Sequence, residues 1–179
     1  STFPDSWESY QLIDATDAVT ANKRALSALG NDISGLCFSN PNNLDVLLKD
    51  IKIEHIRIDF TKYDQSFPKT WKEYTIGKKI QGAFHGKEKI KLQNFVNTVF
   101  AKGATAKNQI SSAYNQGKNE KSSNQFYFDI GSNFFMEIAK LKAFRILWES
   151  KTGNTPFIFA NTSLQNKEEK SPSITKTLR

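Results

Sequence analysis

Apolar residues recur along this chain with two periods, and stretches of the two kinds alternate. Over residues 16–29, Ala18, Ala21, Ala25, Leu26 and Leu29 fall on one side of a helix that Gly30 stops. Residues 33–39 are a short apolar run of strand type. Pro41-Asn42-Asn43 turns the chain into residues 44–51, where Leu44, Leu47, Leu48 and Ile51 share a helical face. Residues 54–60 alternate as a strand: Ile56, Ile58 and Phe60 point one way, and His55, Arg57 and Asp59 the other. Weaker signals follow, a helix over 71–79 and a brief strand over 80–84. A strand over 94–100, a helix over 105–116, a polar loop over 118–124 and a strand over 125–130 continue the series. A last strand is expected at 156–162, then a polar stretch at 168–173 and the start of a helix at 174–179.

The strongest element is the helix predicted from Gly131 to Trp148. Ser132 or Asn133 caps its first turn, Glu137 lies near the positive end of its dipole, and Lys140, Lys142, Arg145 and Lys151 follow toward the negative end. Gly153 is a natural stop. Phe134, Ile138, Leu141, Phe144 and Trp148 form one apolar sector, and Phe135, Ala139, Ala143, Ile146 and Leu147 form a second. A helix lying on a sheet needs one such stripe. The second is therefore expected to meet another helix or another chain.

Alternating helices and strands without a strong hairpin signal predict an α/β fold, a parallel sheet covered by helices. About six parallel strands with covering helices point to a partial or truncated (β/α) TIM-type barrel, since a complete one has eight strands and about 250 residues. Residues 1–179 read as one domain, a fragment of such a barrel, with an N-terminal extension over 1–15 and the start of a truncated helical segment at 164–179. One step is difficult. Only residues 86–93 separate the expected strand at 80–84 from the next, less than the dozen or so that a parallel crossover requires. Either 80–84 is not a strand, or one unit has shrunk to a loop.

Composition narrows the functional classes. Hydrophobic residues at 38% with 12% aromatic argue for a folded core. No apolar run approaches the roughly 20 residues needed to cross a bilayer, so no membrane partner is expected. The start, Ser-Thr-Phe-Pro-Asp-Ser-Trp, has neither Met nor a signal-peptide layout and reads as an excised piece. The single cysteine, Cys37, sits in an apolar strand and reads as a buried thiol, which points to the cytoplasm. A net charge of +7 raises the possibility of nucleic acid, but the lysines are spread out and broken by acidic residues, with no accompanying motif. Nucleic acid is not an expected partner. Two histidines and one cysteine without close spacing give no metal site, and no phosphate-binding glycine loop or nucleophile elbow is present.

In a barrel, the apolar side of residues 54–60 meets the helices, which turns His55, Arg57 and Asp59 toward the axis. Tyr127, Asp129 and Asn161, with Asn97 or Thr98, are further candidates for a polar lumen that holds substrate. The simpler reading is an Arg57–Asp59 ion pair buried for architecture. His55 is then a satisfied histidine, and His85 a loop residue.

The segment Phe128-x-x-x-x-Asn133-Phe134-Phe135-x-Glu137-Ile138-Ala139-Lys140-Leu141-Lys142-Ala143-x-Arg145-x-Leu147-Trp148 resembles a strand-to-helix segment of adenosylcobalamin-dependent methylmalonyl-CoA mutases. Ala101-Lys102-Gly103-Ala104-Thr105, followed by Gln109, Ser112, Ala113 and Tyr114, is similar to the family's Ala-Gly-Ala-Thr turn and helix. Ala160-Asn161-Thr162-Ser163-Leu164-x-Asn166-Lys167 resembles the segment after the next strand, particularly in small subunits. The likeness covers residues 94–179 well, 7–60 loosely and 61–93 barely. It implies a (β/α) barrel whose catalytic members carry a Tyr-His pair ahead of the Ala-Gly-Ala-Thr turn, to bind substrate and handle its thioester carbonyl. Here Asn97 and Thr98 stand at those positions, and neither replaces an imidazole. A Gln-Thr-Ser/Gly motif is likewise altered to Asn161-Thr162-Ser163.

The resemblance therefore implies the small, non-catalytic subunit of a heterodimer, in which the large subunit interconverts methylmalonyl-CoA and succinyl-CoA. Adenosylcobalamin belongs to the complete enzyme, in a flavodoxin-like domain with a histidine cobalt ligand, and no cofactor is expected on this fragment alone. An independent acyl-CoA or small-molecule barrel enzyme, and a basic binding module, are the alternatives.

Overall fold

A computed structural model describes residues 7–86, 95–119, 125–162 and 174–178. The fold class is α/β, that of a partial TIM-like (β/α) barrel, with the strands ordered in space as they are in sequence. Seven strands run parallel: β1 (Trp7–Asp14), β2 (Gly35–Ser39), β3 (Arg57–Thr61), β4 (Gln81–His85), β5 (Phe95–Phe100), β6 (Gln125–Asp129) and β7 (Phe157–Asn161). Among the described residues, five helices lie between them: α1 (Ala18–Leu29), α2 (Leu44–Leu47), α3 (Phe67–Tyr74), α4 (Ala106–Gly117) and α5 (Phe134–Thr152). Where one domain is expected, contacts group the chain into two compact units, one of Ser9–Asn97 and one built on the chain from Thr98 onward with the residues up to Glu8. The strand β5 passes from one to the other.

In the unit of Ser9–Asn97, α1, α2 and α3 cover one face of the strands. Ile13, Leu36, Phe38, Ile58, Phe60 and Phe84 meet Ala21, Ala25, Leu47 and Trp71 in a single buried cluster. Phe60 is its centre: its ring lies 4.8 Å from Phe67, 4.7 Å from Trp71 and 6.2 Å from each of Phe38, Phe84 and Phe95. The Asp17 carboxylate caps α1 by accepting from the Val19 N–H, and Asn43 caps α2 by accepting from Val46. Expected as a helix over 44–51, α2 closes after one turn, yet Leu44, Leu47, Leu48 and Ile51 are all buried as their spacing predicts.

The second unit repeats the plan. Val99, Phe126, Phe128, Ile158 and Ala160 are covered by Ala113 of α4 and by Leu141, Phe144 and Trp148 of α5. The ring of Phe126 packs edge-on against Phe144 at 4.7 Å and Trp148 at 4.6 Å. Gly117 allows this closeness, because a Cβ there would come within 2.7 Å of the Phe126 ring and 2.8 Å of the Trp148 ring. Asn133 is the cap of α5, accepting from the Met136 N–H, and Gly153 ends it in the left-handed region at φ 72°.

Four expectations change. The extension expected over 1–15 contains β1, which pairs parallel with β2 from Tyr10↔Gly35 to Asp14↔Ser39. Its signal is masked because Glu8, Ser9 and Gln11 dilute the apolar positions. The Tyr10 ring occupies the space where a Cβ on residue 35 would stand, so the register relies on a glycine. Residues 174–178, expected to begin a helix, form β8 (Ile174–Leu178), antiparallel to β7. The helix expected over 71–79 is α3, which starts earlier, at Phe67. The doubtful strand at 80–84 is real as β4, and Gly82, Ala83 and Phe84 pair parallel with Phe95, Val96 and Asn97. The connecting residues 87–94, like the polar stretches 120–124 and 163–173, lie outside the described residues.

Replacing Phe60 by Ala removes a fully buried ring and is expected to cost about 3–5 kcal/mol. Asn133→Ala should cost only about 1 kcal/mol through the lost cap. Chemical denaturation of both variants against the parent checks the order.

Candidate functional site

On β3, the residues that point away from the helices are polar. Asp59 is completely buried, and its carboxylate is met from three directions. Oδ1 accepts from the Ala83 backbone N–H at 2.9 Å and faces the Arg57 Nε at 3.4 Å, while Oδ2 is 2.7 Å from the His85 Nε2. An ionised carboxylate only accepts, so with Asp59 ionised the bond requires Nε2 to donate. His85, expected in a loop, is the last residue of β4 and is buried beside β3. Asp59 and Ala83 are register partners, which brings the carboxylate to the next strand's backbone and to the histidine two residues on.

Cys37 is the register partner of Asp59 on the other side. Burial pushes its thiol pKa well up, and the neighbouring Asp59 charge adds to the effect. A protonated, buried thiol is a poor nucleophile. The Asp59–His85 pair has the look of a base with its orienting acid, yet Asp59 is shared with Arg57 and a backbone N–H. What the arrangement does chemically is tie β3 to β4 through one buried carboxylate. His55 does not take part: it lies exposed in the bend before β3, because the strand begins at Arg57 rather than at residue 54.

In the second unit, Asn161 donates from Nδ2 to the Asp129 Oδ1 at 2.8 Å, across the register pair Asp129↔Asn161. Asp129 is itself exposed, and Asn161 is buried. Tyr127 lies flat on Phe159, with ring centroids 5.4 Å apart and planes 14° apart, and also meets Phe100 at 5.1 Å. Thr98 is buried, and its hydroxyl accepts from the Gln125 Nε2 at 3.5 Å. Asn97 belongs to the other unit, where it pairs with Phe84.

Sequence reasoning missed Lys140 as a site residue. It is only 4% exposed, and its ammonium has three acceptors: the Glu137 carboxylate at 2.5 Å, the Gln109 Oε1 at 2.7 Å and the Asp129 backbone carbonyl at 3.0 Å. Three donors meet three acceptors, which is what a buried lysine requires. Its position four residues before Phe144 places it in the buried sector of α5, a signal visible in the spacing but hidden by the charge.

The residues present do not fit cobalamin. The His85 Nε2 is held by Asp59 with the side chain 3% exposed, and His55 stands alone on the surface. Among the described residues, no group of three or more His, Cys, Asp or Glu is placed to hold a metal ion, and no helix is long and apolar enough to cross a membrane. A family model for methylmalonyl-CoA mutase matches residues 120–163, the stretch that contains β6, α5 and β7, and supports a mutase-related family. No curated protein matches the chain.

Two outcomes check the site. Asp59→Ala leaves Arg57 and His85 facing a buried gap and should cost about 3–5 kcal/mol, while Asp129→Ala, at an exposed carboxylate, should cost about 1 kcal/mol or less. Cys37 in the folded protein should resist a thiol reagent at alkaline pH where a free cysteine is already thiolate, and should react fully once denatured.

Proposed function

We propose that this chain is a small-subunit component of methylmalonyl-CoA mutase, a structural partner of a large subunit that interconverts methylmalonyl-CoA and succinyl-CoA. One observation carries the reading. Where the resemblance implies a Tyr-His pair in catalytic members, this chain has Asn97 and Thr98, and Thr98 is already engaged by Gln125. Neither side chain supplies an imidazole to polarise a thioester carbonyl. The match over 120–163 supports the lineage without supplying a reactive group.

The remaining polar residues suit the same role. Asp59 and Lys140 are each met by several polar groups inside the protein, and the His85 Nε2 is held by Asp59, which favours rigidity over turnover. Adenosylcobalamin and the radical chemistry it supplies then belong to the large subunit. This chain contributes a folded surface that stabilises its partner.

Co-purification with a candidate large subunit, followed by a mutase assay with and without this chain, tests the reading. A stable complex is expected, with no turnover by this chain alone and higher or longer-lived activity when it is present. Full activity of the large subunit without it, together with no complex, would falsify the proposal.

A further inference from the structure

The outer side of α5 carries an apolar strip. Phe135, Met136 and Ile146 are 82%, 55% and 65% exposed, Ala139 and Ala143 are exposed between them, and Phe134, in the other sector, is 68% exposed at the start of the helix. The helix buries the opposite side, with Leu141, Phe144 and Trp148 against the strands. At about 100° per residue, Phe135, Ala139 and Ile146 lie directly opposite that buried side, with Ala143 beside them. Three consecutive exposed apolar side chains leading into such a strip mark a docking surface rather than scattered surface residues.

The order of sizes along the strip says what covers it. Large side chains stand at both ends and two alanines in the middle. Phe135 and Ile146, Met136 and Leu147, and Ala139 and Ala143 are three pairs whose midpoints all fall within half a residue of position 141. A second α5 turned antiparallel about a two-fold axis beside that position meets the strip in register. Phe135 then lies against Ile146 of the second copy, Met136 against Leu147, and Ala139 against Ala143. A two-fold interface demands this self-complementarity, whereas an unrelated partner does not. The central alanines let the helix axes approach to about 8 Å.

We propose that this chain self-associates as a two-fold dimer through the outer face of α5, the two helices antiparallel. The inference does not rest on the mutase reading and can fail or succeed apart from it.

Sedimentation velocity on the purified chain across the micromolar range tests this. The parent should show a concentration-dependent dimer. Ala139→Glu and Ala143→Lys should each weaken it on the order of 100-fold, because each buries an unpaired charge at the centre. Circular dichroism should stay unchanged, and so should the thermal midpoint at concentrations where the parent is monomeric, since both positions are exposed in the single chain. An equimolar mixture of the two variants should recover the dimer, because every introduced Glu then opposes a Lys and every remaining Ala an Ala. Ile146→Asp gives a second reading of the same face. A parent that stays monomeric at about 100 μM, a dimer indifferent to these substitutions, or a mixture that does not recover would each overturn the proposal. So would a strip that becomes protected only when a large subunit is added.

Discussion

A charge taken out of water has to be met by polar groups from several elements at once, and each unit of this protein is organised around one such charge. In the first unit it is the Asp59 carboxylate, which ties Arg57 on its own strand to the backbone and histidine of the next. In the second it is the Lys140 ammonium, which draws α4, the end of β6 and the first turn of α5 onto a single atom. Neither charge tolerates loose positioning, because an unmatched donor or acceptor at that depth costs more than the hydrogen bond contributes. The apolar layers set how far apart sheet and helices lie, and the charges select one register among those the layers allow.

The aromatic packing obeys the same economy of space. Phe60 and Phe126 occupy equivalent places on the helix side of their strands, each surrounded edge-on by rings from the covering helices. Glycines stand where rings press closest: Gly35 under Tyr10, and Gly117 against Phe126 and Trp148. With the helix side filled by rings, the polar residues are left to the other face of the strands. There Asp59 is engaged with Arg57 and His85, and Asp129 with Asn161.

That distribution bears on function. Asn97 and Thr98 stand where the resemblance implies a substrate-handling pair, and the only cysteine is a buried, protonated thiol. Phe134, Phe135, Met136 and Ile146 of α5 are exposed apolar side chains.

The local pattern determined much. Apolar spacing alone located five of the seven parallel strands, and it placed α1, α4 and α5 to within a few residues, with Asn133 and Gly153 at the ends of α5. It also showed that α5 has more apolar surface than one sheet can cover, and the second sector is indeed the exposed one. Only the tertiary structure decided the rest. The strand β1 is held by parallel pairing and by a ring over Gly35, neither of which has a local period. The strand β8 exists by antiparallel pairing with β7, against a helix expected from its own residues. His85 and Lys140 gained their partners from residues 26 and 31 positions away, through Asp59 and Gln109. Periodicity reports which face of an element is apolar, because that depends on the residue and its near neighbours. Which polar group on one element meets which on another depends on register, and register is settled only when the elements pack.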